Sequence, residues 1–264
     1  MERVSVNHPL KTTKMKNRLL GMAVAAVIAL LPAFTSGTLA RNEPGRTIAK
    51  IPNPAATNDP AKDVNASFPE MLHARLELSK AGLDLEVLEM ALKGYDRLSR
   101  SGATSKDSIL AIADFGKSSG TKRLFVIDLR NQRLVYQTHV AHGRNSGGEY
   151  ANRFSNKPSS NMSSLGFYVT RGTYMGSNGY SLVLDGCEKG INDKARERAI
   201  VMHPADYANE EVLRGKGYLG RSFGCPALPE KISRKVIDRI KGGNVLFIYH
   251  PESGYSRMSS LLNG

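Results

Sequence analysis

The chain has 264 residues, 41% of them hydrophobic and 23% charged, enough for one globular domain with appendages and inconsistent with a wholly disordered tail. Lys and Arg number 37 against 24 Asp and Glu, a formal charge of +13, so an acidic partner or surface is expected. Two cysteines are too few for a disulfide scaffold or a four-thiolate zinc site.

In chain order, residues 1–40 read as a secretory signal peptide. Arg3, Lys11, Lys14, Lys16 and Arg18 precede an apolar run from Leu19 to Phe34, and small residues lead to Ala40. The run is shorter than the ~20 residues a spanning helix needs, although an uncleaved anchor is the alternative. No Cys follows it, which argues against lipidation. The remainder stays basic, and outside the cytoplasm the available polyanions are envelope polymers and anionic lipids rather than nucleic acid. A periplasmic or otherwise exported, possible membrane-proximal location at the cell envelope is expected.

Residues 41–67 contain Pro44, Pro52, Pro54 and Pro60 without apolar periodicity and read as a disordered linker. Leu72, Leu76, Leu83, Val87, Leu88, Met90, Ala91 and Leu98 then fall at spacings of three and four, broken at Gly82, and predict a helical hairpin over 68–104 with Asp84 as a cap. From residue 107 short β-rich runs follow: 109–115, 123–129, 134–140, 166–170, 181–184, 199–202 and 245–249. The second and third predict a hairpin around residues 130–133, and sequential antiparallel strands are expected throughout. One strong helix is predicted at 229–241, stopped by Gly242. The fold class is mainly β with a few helices; a doubly wound parallel sheet is disfavoured.

The segment Gly220-Arg221-Ser222-Phe223-Gly224-Cys225-Pro226-Ala227 concentrates the chemistry. A thiolate is the better nucleophile at neutral pH, and a neighbouring cation such as Arg221 favours its ionised form. Cys225 is therefore the candidate nucleophile, with the amides of Gly224 and Cys225 facing a developing oxyanion. Of six histidines, His203 ends an apolar strand just before Pro204 and is the candidate base, its second nitrogen oriented by a backbone carbonyl or Asp206. His142, Arg144 and Asn145 are expected to shape a loop near the site or contact substrate, and His139 to pack in the sheet.

His203 followed 19 positions later by Ser222-Phe223-Gly224-Cys225 resembles the L,D-transpeptidase catalytic domain, in which a His precedes a Ser/Thr-His-Gly-Cys run. Phe223 replaces the usual second His, and Pro226-Ala227 replaces a hydrophobic-Asn pair, which is similar to a divergent murein branch with a Ser-x-Gly-Cys-Pro-Ala signature. Ala141 to Asn145, Phe154 to Asn156, Ser163 to Tyr168 and Leu184 to Asn192 agree, over about residues 107–250. The resemblance implies a β-sandwich or barrel catalytic domain over 105–252, followed by a tail at 253–264. It also implies action on peptidoglycan stem peptides. Cys225 would attack an L-centre carbonyl, commonly of meso-diaminopimelate, and expel terminal D-alanine. The resulting thioester would pass to an amine, giving a 3→3 cross-link, or to water, giving a tripeptide. His203 serves as base and then acid, Ser222 braces the loop, and Arg221 and Tyr168 join the substrate-binding set. No cofactor or metal is required.

Other readings stay open. A Cys187–Cys225 disulfide in a non-catalytic envelope-binding module would remove the nucleophile. Gly220 to Gly224 formally matches a Gly-x-Ser-x-Gly elbow, with Ser222, Asp238 and His250 in hydrolase order, although its context lacks the preceding buried strand and immediate helix. A metallopeptidase would use His139, His142, His203 and Asp185. Arg153, Lys157 and Arg171 are further candidate contacts for stem carboxylates.

Overall fold

The computed structural model describes residues 66–105, 107–251 and 254–264. The expected signal peptide, and all but the last two residues of the expected linker, lie outside them. The apolar spacing of three and four yields α1 (Phe68–Arg75), the single turn α2 (Leu78–Ala81) and α3 (Leu85–Arg100). Gly82 ends α2 in a left-handed conformation at φ +86°, which its missing Cβ permits. Asp84 occupies the N-cap position of α3, yet its side chain caps nothing. It pairs instead with Lys117 at 3.2 Å.

The strands are β1 (Ile109–Asp114), β2 (Leu124–Asp128), β3 (Arg133–Thr138), β4 (Gly166–Gly176), β5 (Gly179–Gly186), β6 (Val201–Pro204), β7 (Ala227–Leu228) and β8 (Val245–Tyr249). They form one eight-stranded sheet in the order β3-β2-β1-β8-β4-β5-β6-β7. Past β3 the chain returns to the far edge, where Ala141 bridges Ala227, so the sheet nearly closes into a barrel. The fold is mainly β, as its sequence predicts. The purely sequential antiparallel order is corrected. β8, last in the chain, inserts between β1 and β4 and runs parallel to β1, and β7 runs parallel to β6. The uninterrupted apolar runs of β1, β2 and β8 fit this, because central strands covered on both faces need no polar alternation. β4 and β5 extend well beyond their predicted segments into an exposed ribbon at Arg171–Gly176, where apolar alternation is lost while pairing continues.

Helices line the sheet. α4 (Glu210–Lys216) is exposed, whereas α5 (Glu230–Ile240) buries Val236, Ile237 and Ile240 against β1, β5 and β6. α3 buries Val87, Leu88, Ala91 and Leu98, and these join β1, β4 and β8 in a single apolar core, so the helical segment is part of the β domain's interior. The expected C-terminal tail forms α6 (Tyr255–Met258) and α7 (Ser260–Asn263). The buried carboxylate of Glu188 fixes them, accepting from the hydroxyls of Tyr255 and Ser259 and from the amide of Phe167. Among the described residues, no helix is long and apolar enough to cross a membrane.

At Gly94 the backbone of α3 rests on the ring of Phe167, which stacks on Phe247 at 4.3 Å between centroids. Gly94→Ala should gain ~1 kcal/mol of helix propensity but lose more to overpacking, typically ~1–3 kcal/mol. Denaturant unfolding should therefore show a less stable variant, and a more stable one would contradict this packing.

Candidate active site

The segment carrying Cys225 lies at the seam where the sheet nearly closes, and three pieces of chain hold it. On one side it leads into β7, where Ala227 registers with His203 of β6. On the other side the Ser222 amide donates to His142 O at 2.9 Å, the Arg144 amide to Ser222 O at 2.8 Å and the Ala141 amide to Ala227 O at 2.8 Å. From the third side, the Ser163 hydroxyl accepts from the Gly143 amide and donates to Gly224 O, each at 3.1 Å. Gly224 adopts φ +125°, and a Cβ there would stand 2.8 Å from Met162 O, so neither conformation nor space admits a side chain.

The sulfur of Cys225 is set against the chain entering β6. It accepts from the Val201 amide at 3.5 Å and donates to Ala199 O at 3.8 Å. His203 stands two residues beyond Val201, on the same face of the strand and about 7 Å along it. Its Nδ1 lies 2.8 Å from Pro204 O. A carbonyl can only accept, so Nδ1 carries the proton and Nε2 keeps its lone pair. The orienting group is thus a backbone carbonyl; the Asp206 carboxylate accepts from the Tyr207 amide. Burial lowers the His203 pKa, partly offset by the Pro204 bond. Burial raises that of Cys225, opposed by the Val201 amide and the Arg198 charge. Both groups are therefore neutral in the resting site at pH 7.

Several other expected site residues are already engaged or lie away from the sulfur. The Gly224 amide donates to Ser222 Oγ at 3.0 Å and is not available to an oxyanion. The Cys225 amide has no acceptor among the described residues. The Ser222 hydroxyl donates to Cys225 O at 2.6 Å, which occupies its proton in bracing the loop. Asp238 bonds Tyr180 and Lys241 on α5, and His250 packs on Phe154, so a serine triad is not assembled. His142 and Tyr168, expected to contact substrate, are fully buried. The Tyr168 hydroxyl bonds Ser164. His142 Nδ1 accepts from the buried guanidinium of Arg123 at 2.8 Å, while its Nε2 meets no hydrogen-bond partner among the described residues. Arg144, Asn145 and Arg221 are exposed beside the loop. Arg144 lies over the ring of Phe223, 4.6 Å from its centroid. That ring is 67% exposed where the family pattern carries its second His.

Both cysteines are free thiols. Cys187 lines a separate groove with Leu98, Arg171 and Arg196, and burial pushes its pKa up to about 11. Asp185, bound by Arg171 and Arg196 at 2.7 Å each, belongs to that groove. Arg171 is thereby committed away from the site. With Asp185 so paired and His142 facing Arg123, the residues of the metal reading do not share a site. Arg198 went unnoticed in the sequence. Its guanidinium donates to Ser155 O and Ser164 Oγ, and to Met162 O and Ser160 Oγ. No spacing rule links an arginine before a strand to a loop some forty residues earlier.

His142 gives the fold a pH dependence. Burial first, and the Arg123 charge second, push its pKa down to about 3. Between about 6.5 and 3 the unfolded chain therefore binds the proton that the folded chain refuses. Stability falls as pH drops through that window, by up to about 1.4 kcal/mol per unit. His142→Asn, which keeps an acceptor for Arg123, should flatten the fall in melting temperature between pH 6.5 and 4. Some slope will remain, because His139 and His203 are lowered as well. An unchanged slope would contradict the assignment.

A family model described as the L,D-transpeptidase catalytic domain matches residues 79–249, beginning early enough to take in α3. No curated protein matches the chain. Among solved structures, an L,D-transpeptidase from Mycobacterium smegmatis is 13% identical, with 54% of this chain and 58% of that one covered and a TM-score of 0.34. An L,D-transpeptidase from Stackebrandtia nassauensis is 13% identical, with coverages of 70% and 77% and a TM-score of 0.34. The helical cell shape determining protein of Campylobacter jejuni is 13% identical, with coverages of 61% and 57% and a TM-score of 0.35. The chain thus spans little more than half the length of the Mycobacterium protein. With the family model matching more than half of the chain, on a nearly closed β-sheet that carries the Ser-x-Gly-Cys segment at its seam, the protein belongs to the L,D-transpeptidase catalytic domain family.

Proposed function

We propose that the protein is an exported cysteine acyltransferase of peptidoglycan stem peptides, with Cys225 as nucleophile and His203 as general base. The observation that carries this reading is the seating of the Cys225 sulfur on the Val201 amide, two residues before a histidine whose Nδ1 proton is held by Pro204 O. As the sulfur bonds to the donor carbonyl carbon, its proton passes to His203 Nε2. The carbonyl electron pair moves onto oxygen, where the Cys225 amide is the available donor. Collapse breaks the C–N bond, His203 returns the proton to the departing D-alanine amine, and a thioester remains. An acceptor amine or water, deprotonated by His203, then attacks the thioester and releases Cys225 as a thiol. Access of the acceptor decides between cross-linking and trimming.

Because resting thiol and imidazole are both neutral, deprotonation accompanies attack, and His203 must be unprotonated. Arg144, Asn145 and Arg221, exposed around the loop, suit the carboxylates of a stem peptide. The basic segment and apolar run of residues 1–40 support export, and the Pro-containing stretch to residue 67 supports a tether.

Mass spectrometry of purified muropeptides incubated with the protein should reveal a thioester adduct and either 3→3 dimers or tripeptides. Cys225→Ala should yield none of these, and retention of full function by that variant would instead indicate a binding module. His203→Gln should lower kcat/KM by roughly 10²–10⁴-fold. The acidic limb of the kcat/KM profile should fall below 6.5, the ordinary imidazole value, because burial lowers the pKa of His203. A limb above that value would argue against His203 as the base.

A further inference from the structure

Arg198 is half-buried, and every partner of its guanidinium is neutral: the carbonyls of Ser155 and Met162 at 2.8 and 2.5 Å, and the hydroxyls of Ser164 and Ser160 at 3.2 and 3.3 Å. Arg171, Arg196 and Arg239 each meet an aspartate, but among the described residues Arg198 makes no ion pair. A charge withdrawn from water without a counter-ion is costly, and burial does depress its pKa. Its location supplies the reason. One of its terminal nitrogens would lie 3.3 Å from a Cβ on Gly224, and the next residue, Ala199, offers the carbonyl that the Cys225 sulfur touches.

We propose that Arg198 is a positioning residue for the nucleophile, its fork fixed by the 155–164 loop so that its uncompensated positive charge stabilises the Cys225 thiolate. The anion it lacks in the resting protein is the one formed when the sulfur loses its proton. This deepens the reading of Cys225 as nucleophile and rests on it. Besides Arg198, the Tyr207 phenol feels the Cys225 sulfur, and the candidate base His203 stands two residues along β6 from the Val201 amide that the sulfur accepts from. Burial keeps the Tyr207 phenol protonated, and a neutral His203 adds no charge. Among the described residues, Arg198 is thus the cation acting on the thiol.

The test is the rate of iodoacetamide alkylation of Cys225 between pH 7 and 10 in the full chain, with Cys187 resolved by peptide mapping. Arg198→Met should displace the profile upward by roughly one pH unit, slowing alkylation about tenfold near pH 8 while leaving the high-pH limiting rate unchanged. Arg198→Lys keeps the charge and should stay within about threefold of wild type. A Met profile superimposed on wild type would overturn the proposal, as would a Lys profile displaced as far as that of Met. If the Met variant fails to fold by circular dichroism, the Lys variant carries the test: a wild-type profile supports the proposal, and a full-unit shift overturns it. Alkylation reads the sulfur without any peptidoglycan substrate. Failure of the muropeptide experiment would therefore leave this result standing, and failure here would leave the assigned reaction intact.

Discussion

The site depends on the near-closure of the sheet. The chain leaving β3 returns at Ala141–Arg144 to bind the far side of the segment whose other side leads into β7 along β6. The loop of the candidate nucleophile, with backbone partners on two sides and Ser163 on a third, has few conformations left to it. That restriction is what reactive geometry requires, since chemistry gains from groups held in place before substrate arrives. The same crowding explains why Gly224 must be glycine: its Cβ would stand against Met162 O and the side chains of Arg198 and Ile200.

The seam is reinforced from beneath by polar groups deep in the domain. Arg123 donates to Val140 O, Lys117 O and the His142 ring, while its guanidinium lies over Phe115. The segment that grips Ser222 is therefore anchored to the first strands of the sheet by a charged group with no exposure. Arg198 does comparable work on the 155–164 loop. Each arginine is stabilised mainly by carbonyl oxygens, which is possible because a guanidinium offers five donors in a fixed plane.

Electrostatics around the candidate pair favour two neutral partners over a preformed thiolate–imidazolium. Burial disfavours the charged form of both, raising one pKa and lowering the other. Under the proposed mechanism such a site holds its reactivity back until a carbonyl is in place to receive the electrons. Placement of Phe223 rather than an imidazole between Ser222 and Gly224 fits that arrangement, since the ring projects outward beneath Arg144 and leaves His203 as the candidate base.

Local chemistry made much of this legible in the sequence. Unbroken apolar runs marked β1, β2 and β8, three-and-four spacing marked α3 and α5, and the Ser222–Cys225 segment with His203 upstream marked both the family and the candidate pair. What local pattern could not carry was any relation set by distant pairing. The insertion of β8 between β1 and β4, the two-residue β7, and the burial of His142 and Tyr168 all follow from which strands meet. The commitment of the Gly224 amide to Ser222, and the pairing of Asp84 with Lys117 instead of its helix, follow from a competition between partners that sequence does not rank. Residue type and spacing determined what chemistry the chain possesses. Tertiary structure alone decided which donors and charges remain free to perform it, because a hydrogen-bonding group is spent by whichever partner the fold brings nearest.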